Sequence, residues 1–376
     1  MKSIASAPAK IILLGDHFVV HGSKAMLAAI DKRVTVTSTL TDKETIKIKS
    51  VLGTLEVPTY VSYQEIKSEF RPFVYLAKKM INSTEWKNAK PAKGLEIEIN
   101  SEIPVGVGLG SSSACCVATT ASIYGLVESD CNPNVSSWQF KKLSPEELVE
   151  ISIEAEKTIF PDTSGADCAV CTYGGMIVYD KINGVEKIED TRWSQKEIWL
   201  GDEDNDMHTT GLNFIIANSM IPHSTKRSVD RVKKFKKIHE EDFSDWCRYV
   251  TNIINNLLYN MDRDVDDPER MPFGFELGAT MSKNRYLLDH LPISNKTISS
   301  MISSLVRGTD NGGAALISAK ITGAGDGGCI IVLTEDIERD LTRARGVLGK
   351  DKECFSAKID TKGVVWNTID DEGDYE

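Results

Sequence analysis

Pro104-Val105-Gly106-Val107-Gly108-Leu109-Gly110-Ser111-Ser112-Ser113 is the segment on which the reading of this chain turns. Three glycines at alternate positions free the backbone to point N–H groups into a concavity, and the serines open an apolar, helix-like run from Ala114 to Leu126. Glycine accepts the backbone angles, the hydroxyls add donors, and a helix N-terminus adds the positive end of a dipole, so the composite reads as a phosphate cradle. Its spacing separates it from two other phosphate loops. No Gly-Lys-Ser/Thr closes it, as in a Walker A loop, and G-x-G-x-G followed by hydroxyls is not the dinucleotide fingerprint G-x-G-x-x-G. A dinucleotide oxidoreductase would also place an acidic residue ~20 positions further on, after a second strand. Here Glu128 and Asp130 follow in a turn-like stretch.

Outward from the loop, the pattern alternates sheet and helix. Leu95–Ile99 alternates strictly and predicts a strand with one wet face, while Gln64–Ile81 has helical periodicity through Ile66, Phe70, Phe73, Leu76 and Met80. Residues 1–50 read as strands and turns. Downstream, Cys131–Ser144 is a loop, and Pro145 opens a helix with Ser144 as N-cap and Glu147 completing a capping box. Met176–Tyr179 and Leu212–Ala217 read as strands on either side of a charged stretch, Lys181–Thr209. Helical patterns fill 224–240, 244–262 and 271–289. The last quarter returns to sheet at Lys320-Ile321 and Cys329–Leu333, with a helix over Glu335–Leu348 capped by Thr334. The expected class is α+β, with one lobe over residues 1–180, a second over 210–365, and an acidic tail over 366–376.

Composition narrows the function. Of 376 residues, 41% are hydrophobic and 26% charged, and 44 basic against 55 acidic side chains leave a net charge of −11, so no global field draws nucleic acid. Lys226–Lys237 is a local exception, its basic residues interleaved with Val229, Val232, Phe235 and Ile238. It reads as the solvated face of an amphipathic helix, with attraction of a polyphosphate as the functional alternative. The eight cysteines include Cys115-Cys116 in an apolar segment and Cys168-x-x-Cys171 with no second ligand pair, so structural thiols are expected. No apolar run is long enough to span a bilayer and the N-terminus lacks the order of a signal peptide, so a cytoplasmic location without a membrane partner is expected.

Three segments in order then resemble the GHMP kinases over nearly the whole chain. These are Ala7-Pro8-Ala9-Lys10 with Leu14-Gly15-Asp16-His17, the glycine–serine loop, and Ile321-Thr322-Gly323-Ala324-Gly325-Asp326-Gly327-Gly328-Cys329. A fourth, from Glu156 to Ser164-Gly165-Ala166-Asp167, resembles the branch of the family that phosphorylates mevalonate. The resemblance implies a two-lobed α+β fold with the active site in the cleft, and ATP and Mg²⁺ as cofactors. It implies transfer of a phosphoryl group to the 5-hydroxyl of mevalonate, in isoprenoid precursor synthesis, with a homodimer as a possible assembly.

Residue by residue, the resemblance makes Asp167 the base that accepts the hydroxyl proton and Lys10 the cation that activates the hydroxyl or offsets moving charge. Ser112 and Glu156 hold Mg²⁺, and Pro104, Gly106, Gly108, Leu109, Gly110, Ser111, Ser112 and Ser113 cradle the nucleotide. The acceptor is contacted by Lys10, His17, Asp167, Thr225 and Gly325. Four positions depart from the family pattern: Ala9 for glycine, Asp16 for glutamate, Phe160-Pro161-Asp162-Thr163 for His-Gly-Asn-Pro, and Asp326 for glycine. Asp326 is the most consequential, because a carboxylate beside phosphates is repelled unless it points outward or meets a metal. A phosphomevalonate kinase, a sugar kinase, the ATP-using decarboxylase and a catalytically inactive ligand-binding relative remain as alternatives.

Overall fold

The computed structural model describes residues 2–83, 93–127, 143–190, 212–222, 224–263, 271–306, 318–349 and 351–369. Most of the predicted Cys131–Ser144 loop, the 191–209 part of the charged stretch and the tail beyond 369 lie outside the described residues.

The larger sheet begins with two long antiparallel strands, β1 (Lys2–Leu14) and β2 (Ala25–Thr41), in register from Lys2 opposite Thr39 to Leu14 opposite Met26. The hairpin β3 (Thr45–Ser50) and β4 (Gly53–Pro58) joins through β5 (Gly94–Ser101), which runs parallel to β3 and antiparallel to β2. Between β4 and β5 lies helix α1 (Arg71–Ile81), the predicted helix preceded by two short 3₁₀ turns. Helix α2 (Ser111–Gly125) is buried on nearly every side, and its small residues let it pack onto β1 and β2. Helices α3 (Pro145–Lys157) and α4 (Ala166–Tyr173) flank it, and Ser144 and Glu147 form the expected capping box at the start of α3. Strands β6 (Met176–Asp180) and β7 (Gly184–Ile188) extend the sheet from β2.

The smaller sheet, ordered β11-β8-β10-β9, is antiparallel throughout, with β8 (Asn213–Asn218), β9 (Ser318–Ile321), β10 (Cys329–Thr334) and β11 (Glu353–Lys358). Its helices are α5 (Thr225–Ile238), α6 (Glu240–Met261), α7 (Phe273–Asp289), α8 (Lys296–Val306) and α9 (Ile337–Leu348). Asp336, not Thr334, caps α9, accepting from the Arg339 N–H. Thr334 stays in β10 and its hydroxyl turns to Asp340 and the Asp336 carbonyl, so the strand holds the residue that the local pattern offered as a cap.

The chain then returns to the first sheet. Strand β12 (Val365–Ile369) pairs with β1, so Trp366–Ile369, expected in the tail, complete the N-terminal sheet. Arg33 fastens this crossing, donating to Ser6, Asp360 and the Gly363 carbonyl. The cores of the two sheets are continuous, so the turns at their junction are held from both sides.

Candidate active site

The site is assembled where the ends of β1 and β10 meet two glycine turns. The Lys10 N–H on β1 donates to the Leu109 carbonyl at 3.0 Å, strapping the Gly106–Gly110 turn across the strand. The Cys329 N–H donates to the Val107 carbonyl at 2.9 Å, so the second glycine turn, between β9 and β10, packs directly on the first. Thr322 reaches back, its hydroxyl accepting from the Ile12 N–H at 2.9 Å.

Two glycines show why nothing larger serves. Gly110 precedes α2 at φ 74°, and a Cβ there would lie 2.6 Å from Cγ of Lys10. Gly325, at φ 68°, would place a Cβ 2.5 Å from the Ile293 carbonyl oxygen. Both combine left-handed backbone with close approach, a demand that only glycine meets without strain. Two residues of other types also adopt left-handed backbone in these turns, His17 at φ 61° and Asp326 at φ 63°. Histidine and aspartate are among the side chains that tolerate that region best.

Lys10 and Asp167 meet. The Lys10 ammonium, 2% exposed, lies 3.0 Å from Oδ2 of Asp167, which is 29% exposed. Asp167 stands in the first turn of α4, where the helix dipole favours a carboxylate. The pair therefore joins one helix N-terminus to the strand beneath the cradle that opens another, with an acceptor and a donor side by side.

Glu156, on α3, is buried at this same point. It accepts from the Ser113 hydroxyl, from Thr163 at 2.7 Å and from the Cys168 thiol at 3.7 Å. Burial, followed by the nearby charge of Asp167, pushes its carboxyl above the ordinary value. The hydroxyl bonded to Glu156 is that of Ser113; Ser112, assigned from sequence with Glu156 to the metal, stands half-buried beside it on the helix. Two carboxylates this close repel one another, and a divalent cation would relieve both the repulsion and the burial. Carboxylate and hydroxyl oxygens are the donors that Mg²⁺ selects, and it keeps few protein ligands. The residues present therefore fit that ion.

His17 directs Nε2 at the Ala324 carbonyl at 3.0 Å. A carbonyl only accepts, so Nε2 carries the proton and Nδ1 remains an acceptor. Burial pushes this imidazole below its ordinary value, against the opposing pull of Asp16, and Lys320 and Arg231 lower it further. Asp16 is fully enclosed: its Oδ2 takes a bond from Lys320 at 2.5 Å, and its Oδ1 one from the Gly323 N–H at 2.8 Å. The shorter Asp16 thus still ties the turn after β1 to β9 and the second glycine turn.

Asp326 does not stand free. Its carboxylate lies 2.6 Å from Arg231 on α5, which neutralises it. The basic run is consequently more than a solvated face. Lys233 pairs with Asp162 at 2.6 Å and Lys236 meets His21 Nδ1 at 3.4 Å, fastening α5 to the turns around the cleft. Thr225, expected at the substrate, is exposed at the start of α5 behind the Ser224 cap, with no side-chain partner among the described residues. Cys168 and Cys171 are buried thiols on α4. Sequence reasoning left Lys320, Ser113 as the partner of Glu156, and Arg231 without specific roles. For Lys320 the only local signal was a lysine inside an apolar strand; for Arg231, a cation at the register of buried Ser228 and Val232.

The fold and the matched segment define a class. Residues 73–175 match the family described as GHMP kinases N terminal domain. The mevalonate kinase of Methanococcus jannaschii superposes with a TM-score of 0.69 at 23% identity, covering 95% of this chain and 98% of that one. A Lactococcus lactis galactokinase complexed with galactose gives a TM-score of 0.69 at 16% identity, covering 97% and 95%, so the fold alone does not choose the acceptor. In sequence, the mevalonate kinase of Pyrococcus furiosus is 30% identical over 358 residues, 93% of this chain and 94% of that relative. The chain belongs to the mevalonate kinase family within the GHMP kinases.

Proposed function

We infer that this chain transfers the γ-phosphoryl group of ATP to the 5-hydroxyl of mevalonate, feeding isoprenoid precursor synthesis. The observation that carries the reading is the Lys10–Asp167 pair at 3.0 Å, set beside the glycine–serine cradle in a chain of this family. Asp167 accepts the hydroxyl proton as the oxygen attacks, and Lys10 offsets the negative charge that develops between acceptor and phosphate. The cradle's N–H groups and the start of α2 hold the nucleotide phosphates. His17 Nδ1 is available to accept from a hydroxyl of the acceptor. Glu156, with Ser112 at the adjoining turn, would hold Mg²⁺, which would supply neutralisation of the phosphate charge. Positioning and charge neutralisation supply the catalysis.

On this reading residues 1–180 are the nucleotide lobe and 210–365 the second lobe. The setting is cytoplasmic, neither nucleic acid nor membrane is a partner, and a homodimer is allowed. Among the described residues no helix is long and apolar enough to cross a membrane.

The test is ADP release with ATP and Mg²⁺ over a panel of mevalonate, phosphomevalonate, galactose and homoserine. Mevalonate is expected to give the highest kcat/KM. Faster turnover of galactose or phosphomevalonate would overturn the acceptor while leaving the kinase intact, and silence on all four would favour a ligand-binding relative.

A further inference from the structure

The cations around the cleft differ in what they have left to offer. Lys10 is committed to Asp167, and Lys320 donates to three acceptors in a fully enclosed position. Lys233 and Lys236 are drawn to Asp162 and His21. Arg231 is different. One terminal nitrogen is held by Asp326 at 2.6 Å and makes a weak contact with Ser228 at 3.5 Å, while its Nε is buried with no partner among the described residues. A buried donor without an acceptor carries a desolvation penalty that a ligand acceptor would remove. The guanidinium is also near enough to His17 for its charge to be felt there. Asp326 and Ala324, the His17 partner, are two residues apart in the same glycine turn, so Arg231 and His17 are anchored on one short segment.

The geometry points to Arg231 as the residue that binds the carboxylate of the acceptor, with Asp326 as the side chain that positions it. The proposal rests on the acceptor being mevalonate, a small hydroxy acid. Asp326 holds one edge of the guanidinium and leaves Nε to a second carboxylate, and arginine's planar fork is suited to two such partners. The substitution of aspartate for glycine at 326 then has a purpose in this chain: it anchors a specificity residue delivered from α5. Because the carboxylate keeps its charge through phosphoryl transfer, Arg231 should bind ground and transition states alike, and its loss should fall on KM rather than kcat.

The experiment compares the parent, Arg231→Gln and Arg231→Lys on mevalonate and on its neutral N-methylamide, which keeps both hydroxyls but lacks the carboxylate. Thermal melting confirms folding. Arg231→Gln should raise the KM for mevalonate about 10- to 100-fold, the range of one charged hydrogen bond. It should leave kcat and the KM for ATP within about 3-fold. It should also erase most of the parent's preference for mevalonate over the amide, with Arg231→Lys in between. Equal losses on both acceptors, or an unchanged preference, would overturn the assignment and leave Arg231 a structural clasp. If the glutamine variant does not fold, the lysine variant must by itself narrow the preference several-fold, or the proposal fails. A parent that does not phosphorylate mevalonate would remove the acceptor reading and this inference together; an active parent with unmoved variants would remove this inference alone.

Discussion

Two buried lysines at the junction of the sheets, Lys10 and Lys320, each face an aspartate, and the contrast between them separates chemistry from architecture. Lys320 is completely enclosed, and its three N–H groups go to Asp16 at 2.5 Å, the Ile12 carbonyl at 3.0 Å and the Ile321 carbonyl at 2.7 Å. Nothing remains for a ligand. Burial pushes its ammonium below the ordinary lysine value, against the pull of Asp16, so the pair serves to tie β9 and the second glycine turn to the end of β1. Lys10 is nearly as deep, at 2% exposure, yet makes one ion pair at 3.0 Å with a carboxylate that is 29% exposed. An ammonium that has spent one donor on a partner reached by solvent can act on a substrate; one that has spent all three on enclosed partners cannot.

The contrast can be broken most severely at the enclosed pair. Lys320→Met leaves Asp16 buried without its cation and should cost about 3–5 kcal/mol of stability. Asp16→Asn combined with Lys320→Met should recover part of that loss, as read by denaturant unfolding; a Lys320→Met protein as stable as the parent would show that the pair is no tie. Asp167→Asn should do the reverse. Turnover should fall on the order of 10²-fold or more with the melting temperature and ATP binding little changed, and near-normal turnover would remove Asp167 from the mechanism.

A smaller effect is expected at the proposed Mg²⁺ site. Glu156→Gln should raise the Mg²⁺ concentration needed for half-maximal activity about tenfold or more, an effect of one lost charged ligand. Ser112→Ala should raise it too, whereas Ser113→Ala, which removes a bond to Glu156, should act by altering the proton affinity of that carboxyl. The pH dependence has a definite sign. Because burial and Asp167 raise the Glu156 carboxyl above 4.5, its proton persists to higher pH than on an ordinary glutamate. Protons compete with the cation, so the Mg²⁺ requirement should climb as pH falls, starting above the usual glutamate range. A requirement flat with pH, or loss of activity in Glu156→Gln without a change in Mg²⁺ dependence, would place the ion elsewhere. The smallest effect belongs to Asp326→Gly. Its charge is matched by Arg231 and glycine adopts φ 63° freely, so ATP affinity should stay within about 3-fold of the parent. A large gain would mean that the carboxylate had been repelling the nucleotide.

Features set by bonds between near neighbours were legible without the fold. The glycine–serine cradle, the Ser144–Glu147 capping box and the helix over 273–289 are examples, because backbone freedom, capping and periodicity act within one or two turns. Lys10 and Asp167, named from separate motifs, lie 3.0 Å apart in the structure. Choices between adjacent residues were not legible. Ser112 and Ser113 differ by about 100° around a helix, and only the packing of α2 against α3 turns Ser113 to Glu156. Thr334 was the cap that the local pattern offered, but the pairing of β10 holds it in the strand and Asp336 caps the helix.

The sequence by itself thus determined the class of chemistry, because a phosphate cradle, a lysine and a spaced pair of acids are written in local pattern. Tertiary structure alone decided which charges are neutralised and which remain for a ligand. Asp16 and Lys320 are 304 positions apart, and Arg231 and Asp326 lie on different elements. Such pairs carry no local signature: an ion pair depends on distance and burial, and both are set only when the two sheets close on one another.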